Sequence, residues 1–198
     1  MSLITLPAAF KVRSCQLRMS ANQRVSASPF GGSEQAVDML NDRWLLSCEL
    51  PEAPSADGRW REAFIESMRG QVNWVALYHF QHQAPAGTAR GTQTLNASAA
   101  QGASSIQITG VSPSTGTYLA GDLVGVDGLL LRVATDCTAV AGVITVPLAN
   151  RLRKALTSGA AVTWYRPTAL FRLLSDSGVR YTPSIASALS LEFGEYIA

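Results

Sequence analysis

Two histidines, His79 and His82, lie close together in Tyr78-His79-Phe80-Gln81-His82. Imidazoles at short spacing are the first place to look for a metal. A continuous strand would set the two rings on opposite faces, so a shared ion requires a turn between them, and zinc would need further ligands such as Cys15 and Cys48. No paired-ligand spacing of the Cys-x-x-Cys kind occurs, which favours packing over ligation. Asp122, Asp127 and Asp136 invite a reading as paired carboxylates for acid–base work or calcium. Each stands beside Gly or Thr where a turn is expected, and there an aspartate caps local backbone N–H groups. Nucleophilic catalysis would need a serine or cysteine with a positioned base, and no Gly-x-Ser-x-Gly elbow is present. Gly31-Gly32 does not open a strand-to-helix phosphate loop. Trp44, Trp60, Trp74 and Trp164 could form a sugar platform, but the first three fall on expected inward faces, which leaves Trp164 and its neighbour Tyr165 for that alternative. The expectation is a chain with no catalytic, cofactor-binding or metal-binding residues: not an enzyme, and without a cofactor.

The elements that would position these residues are mostly strands. Phe10 to Ser28 is extended in pattern, with Phe10, Val12 and Ser14 on one parity and Lys11, Arg13, Cys15 and Leu17 on the other. Pro29-Phe30-Gly31-Gly32-Ser33 marks a turn. Asp42 to Leu50 alternates, Trp44, Leu46 and Cys48 sharing one face, and ends at Pro51. A helix follows, with Asp57 as N-cap, Trp60, Phe64, Ile65 and Met68 as its apolar stripe, and Gly70 as the left-handed C′ residue. Arg59, Arg61, Glu62, Glu66 and Arg69 are assigned to its outer arc. Asn73 to Phe80 returns to extended structure, with Trp74, Ala76, Tyr78 and Phe80 opposite Val75, Leu77 and His79.

From Gly110 to Arg166 short apolar runs alternate with turns: Leu123 to Val126, Asp127-Gly128, Leu129 to Val133, Thr135-Asp136, Val143 to Val146, then Ala160 to Tyr165. A further strand precedes them at Ser105 to Thr109. Such a block reads as a small antiparallel barrel or sandwich. Ala169 to Leu174, the turn Asp176-Ser177-Gly178 and a last strand within Ile185 to Ile197 close the chain. A terminal strand must pair with something, and its natural partner is the first module's sheet. The fold class expected is mainly β with one short helix (α+β). An N-terminal sandwich-plus-helix domain, residues 1–90 plus 169–198, is completed by the C-terminal strand, and residues 91–168 form an inserted small β-barrel.

Composition agrees with an ordinary globular protein of 198 residues, 47% of them apolar. Charged residues are only 15%, against about 25% in a typical domain, which suits either a subunit whose faces are covered by neighbours or a compositional bias towards Ala, Ser, Thr and Gly. A net charge of +2 is too small for a phosphate-tracking surface, and Arg151, Arg153 and Lys154 read as a solvated turn or as meeting an acidic neighbour. No run is long and apolar enough to span a membrane, the N-terminus lacks the pattern of a secretory signal, and three widely spaced cysteines, Cys15, Cys48 and Cys137, do not make a disulfide framework.

The order of these features resembles a family of tail proteins from long-tailed, non-contractile bacteriophages, the distal tail proteins. The likeness is carried by Trp44-Leu45-Leu46-Ser47-Cys48-Glu49-Leu50-Pro51, the helix from Trp60 to Gly70, Ala120-Gly121-Asp122, Leu131-Arg132-Val133, Val146-Pro147-Leu148, Arg151-Leu152-Arg153 and Leu189-Ser190-Leu191-Glu192-Phe193. It implies a structural virion protein: a homo-oligomeric, hexameric ring at the tail tip, joining the tail-tube protein to the tail-tip hub protein. It implies assembly in the host cytoplasm, with neither nucleic-acid specificity nor membrane contact. The alternatives are another minor tail or connector protein of a phage, and a carbohydrate-binding module.

Overall fold

The chain is mainly β, with a single short helix among the described residues, in an α+β arrangement of several sheets. The structure, a computed structural model, describes residues 1–27, 31–175 and 178–197. The expected turns at Pro29–Ser33 and Asp176–Gly178 therefore fall partly outside the described residues.

The first sheet has six strands in the order Leu3–Ile4, Trp74–Leu77, Ala169–Leu173, Leu189–Glu195, Arg43–Leu50, Ser14–Ser20. All neighbours are antiparallel except the first pair. The C-terminal strand is central, wedged between Ala169–Leu173 and Arg43–Leu50. Strict alternation explains its place: Leu189, Leu191 and Phe193 are buried while Ser190 and Glu192 are exposed, as a strand covered on one face requires. The core under this sheet joins Trp44, Leu46, Cys48, Leu50, Val75, Leu77, Phe171, Leu173 and Phe193 to Phe64 and Met68 of the helix.

The helix spans Ser55–Met68. Its start lies upstream of the expected one: Pro54 occupies the N-cap with no side-chain bond, and Asp57 sits inside the first turn, where a carboxylate still meets the positive end of the helix dipole. Arg69 and Gly70 both adopt left-handed backbone, φ 49° and 63°, and this ends the helix. Phe64 and Met68 are buried; Trp60 is half-buried, edge-on to Phe10 at 6.3 Å. Arg61 departs from its assignment to the outer arc. It is 4% exposed, and its Nη1 points at the Ser187 carbonyl, 3.5 Å away. The reason is a small sheet of Tyr181–Thr182, Ile185–Ala186 and Ala53–Pro54, which covers that flank of the helix.

Between Trp74–Leu77 and Ala169–Leu173 the chain builds a second six-stranded sheet, ordered Leu129–Arg132, Leu123–Val126, Ala161–Thr163, Gln93–Leu95, Ser105–Thr109, Ile144–Pro147. The edges of this sheet meet. A Val133–Leu148 bridge joins them, flanked by Ala134 N–H to Pro147 O and Ala149 N–H to Arg132 O at 2.9 and 2.8 Å. The sheet thus curls on itself around Leu95, Ile106, Ile108, Val124, Val126, Leu131, Ile144 and Val146, and closure removes its exposed edges.

The extended run expected from Phe10 to Ser28 is interrupted. Strand Ser14–Ser20 belongs to the first sheet, whereas Gln23–Ala27 pairs with Glu34–Asp38 in a separate hairpin. Every residue of those two strands is exposed.

Candidate functional site

The residues read from sequence as candidate chemistry occupy separate structural posts. His79 and His82 do come together, because the strand ends at Leu77 and the chain bends; the rings stack with centroids 4.3 Å apart. The expected opposition of faces therefore does not hold. His79 Nδ1 accepts the His82 backbone N–H at 3.0 Å, so one ring nitrogen is already engaged. Burial, then the charges of His82 and Arg132, lowers the His79 pKa to about 4, which keeps the imidazole neutral near pH 7. Among the described residues no three His, Cys, Asp or Glu side chains gather as a metal site.

The three aspartates stand apart as well. Asp122 is buried and accepts backbone N–H groups from Ala86 (2.7 Å), Gly87 (3.2 Å) and Leu119 (2.8 Å). It therefore ties the chain entering the curled sheet to the turn before Leu123–Val126. Asp136 accepts from Ala120 N–H at 2.7 Å. Asp127, at a left-handed turn position with φ 47°, pairs with Lys154 at 2.6 Å.

The basic run is spent in the same way. Arg151 reaches Asp38 of the hairpin at 3.3 Å, Lys154 takes Asp127, and Arg153 pairs with Glu195. Only the last pair is buried, its side chains 13% and 1% exposed. Glu195 Oε1 receives Arg153 Nη2, Glu195 Oε2 receives the Trp44 backbone N–H at 3.0 Å, and Arg153 Nη1 donates to the Asp42 carbonyl at 3.4 Å. Burial pushes the Glu195 carboxyl upward, while Arg153 and the Trp44 N–H oppose that shift.

Trp44 completes a junction between the two sheets. Its indole Nε1 donates to Leu130 O at 2.8 Å, and Asn150 Nδ2 donates to the same oxygen at 3.1 Å. The Arg132 guanidinium lies 4.8 Å from the Trp44 ring centre. Leu123 and Leu130 of the curled sheet extend the first core across this seam. Residues from four separate stretches of the chain (Trp44, Leu130 with Arg132, Arg153, Glu195) thus fix one body on the other through a charge-assisted pair, an indole hydrogen bond and a cation–π contact.

The remaining tryptophans take different places. Trp74 is half-buried on the outer face of the first sheet, stacked on Tyr196 at 5.1 Å with Arg172 over Tyr196 at 4.2 Å. This corrects its assignment to an inward face: Val75 and Leu77 of the opposite parity are the buried pair. Trp164 donates to Gly91 O at 2.8 Å with Arg90 against its ring. Tyr165 next to it is 51% exposed.

Val140 of the curled body is 77% exposed, and the first body also leaves apolar surface uncovered. Its sheet is open, and one edge is the seven-residue strand Ser14–Ser20. The adjoining hairpin carries Val25 and Val37, 54% and 49% exposed, and Met39 just beyond is 55% exposed. No helix of the described residues is long and apolar enough to cross a membrane. Comparison with family models returns no match, and comparison with curated proteins returns none of significance.

Proposed function

We propose that this chain is a structural subunit of a phage tail tip, a distal tail adaptor that assembles into a ring of about six copies between the tail tube and the hub. The observation that carries the reading is the contrast between the two bodies. The curled sheet has its edges joined, whereas the first sheet keeps a long open edge beside a hairpin whose two strands are exposed throughout. A free two-stranded hairpin is marginal in water, and an exposed long edge is a template for pairing with another chain. Repetition of one such contact around an axis closes a ring. The resemblance in Trp44–Pro51, the following helix and Leu189–Phe193 supplies the phage-tail context.

The junction around Trp44 supports the same reading mechanically. A rotationally fixed outer body presents the same face from every subunit, and the buried Arg153–Glu195 pair together with the Trp44–Leu130 bond holds that orientation. Electron microscopy of the purified native protein tests the proposal. Closed rings with a central hole are the expected particles, and a field of compact single subunits, unchanged on adding the tail-tube protein, would overturn it.

A carbohydrate-binding role keeps one observation in its favour, the exposed Tyr165 ring beside Trp164, with centroids 6.0 Å apart. Glycan-array binding lost in Tyr165→Ala would favour that second reading.

A further inference from the structure

We propose that Cys15 and Cys48 are a latent cross-strand disulfide, open in the reduced chain and closed by a low-molecular-weight disulfide oxidant. Both thiols are free in this structure. The two residues are direct partners in the antiparallel pairing of Ser14–Ser20 with Arg43–Leu50, so their side chains leave the sheet on the same face. That face is the core side, since Cys48 is fully buried and Cys15 packs against the same cluster from its rim.

The hydrogen-bond pattern settles which class of pair they form. Glu49 O accepts from Arg13 N–H at 2.8 Å, so the Glu49 backbone faces the edge strand. Successive residues turn their backbone groups to opposite sides, so Cys48 faces Leu189–Glu195 instead. Cys15 and Cys48 are therefore a non-hydrogen-bonded pair, the class with Cα atoms about 4.5 Å apart and side chains closest together. Disulfides span Cα separations of about 4.4–6.8 Å, and the separation of about 4.5 Å typical of this class of pair lies at the short end of that range.

Access decides the order of events. Cys15 is half-buried, on the edge strand Ser14–Ser20 at the rim of the core. Cys48 has no exposed surface, and burial pushes its thiol up to about 12. The Cys15 thiolate attacks one sulfur of the oxidant, forming a mixed disulfide and releasing one equivalent of reduced thiol. Cys48 then loses its proton, and its sulfur attacks Cys15 Sγ, expelling the second equivalent. Two protein thiols are oxidised and one small disulfide is reduced to two thiols. Cys137 belongs to the ladder Tyr118↔Cys137 in the other body and takes no part.

The test is native oxidation with oxidised glutathione, read by intact mass and by peptide mapping after alkylation. The expected product is a chain not covalently linked to another and lighter by about 2 Da, one linked peptide pair containing Cys15 and Cys48, and a raised melting temperature. Cys137→Ala should oxidise as wild type does, and Cys15→Ala should not lose the two hydrogens. Because the wild-type map stands alone, a poorly folding Cys48→Ala variant would not obscure the answer. A wild-type protein that keeps its reduced mass, that stops as a persistent glutathione adduct on Cys15, or that links through Cys137 or to a second chain would overturn the proposal.

Discussion

Replacing Arg153 by methionine isolates the one buried ion pair among the described residues. Glu195 is 1% exposed at its side chain and would keep only the Trp44 N–H as a direct donor. Removing one partner of a buried pair costs about 3–5 kcal/mol, because the remaining charge stays out of water. The residual Trp44 bond and the field of Arg43 place the expected loss near the lower end, about 3 kcal/mol. Arg151→Met is the matched control: its pair with Asp38 is exposed on both sides, and an exposed pair contributes about 0–1 kcal/mol. The loss in Arg153→Met should also depend on pH. Burial already raises the Glu195 carboxyl and Arg153 restrains it, so the variant's folded pKa moves further above the unfolded value. A group with a raised folded pKa stabilises the fold below its unfolded pKa and loses that contribution as pH rises through the folded one. Urea unfolding should therefore show a larger deficit at about pH 8 than at about pH 5, and adding Glu195→Gln should recover part of it. Equal losses in Arg153→Met and Arg151→Met, or a deficit independent of pH, would refute the reasoning.

Trp44→Phe keeps most of the buried ring but strands Leu130 O with Asn150 alone, and a loss of about 1–3 kcal/mol by chemical denaturation is expected. Asp122→Ala removes the acceptor of three backbone N–H groups and should cost about 3 kcal/mol or more, with amide exchange accelerated first at Ala86, Gly87 and Leu119. His79, its pKa lowered to about 4 from 6.5, makes the fold lose stability as pH falls from about 6.5 to about 4, because the unfolded chain takes the proton first. The pH dependence of unfolding should flatten over that window in His79→Phe. Val25→Glu with Val37→Lys should leave thermal stability nearly unchanged, since both residues are exposed, while abolishing any large native species on gel filtration.

Much of the architecture could be read from residue patterning because several signals were local. Phe64 and Met68 with Gly70 marked the helix, Asp127-Gly128 marked the hairpin between Leu123–Val126 and Leu129–Arg132, and Ser105–Thr109 alternates cleanly. Strand parity was ambiguous where both faces carry apolar residues, as in Trp74–Leu77, and only packing against Phe171 and Leu173 selects Val75 and Leu77. Arg61 is covered by a small sheet two of whose three strands lie more than a hundred residues away, which local spacing does not report. The hairpin partner Glu34–Asp38 is wholly exposed and carries only Ala36 and Val37 as apolar residues, so hydrophobic patterning had little to register. Glu195 left a usable trace: continuing the inward parity of Leu189, Leu191 and Phe193 by one step places a carboxylate in the core, where it needs a buried cation. Its partner Arg153 lay in a run of basic residues, and nothing in that run singled it out.

The most direct measurement is the native mass in solution by light scattering, taken across protein concentration and in the presence of the tail-tube protein. The proposed ring predicts a species of about six 21.0 kDa chains, formed alone or on the tube. A mass of one chain under every condition would contradict it.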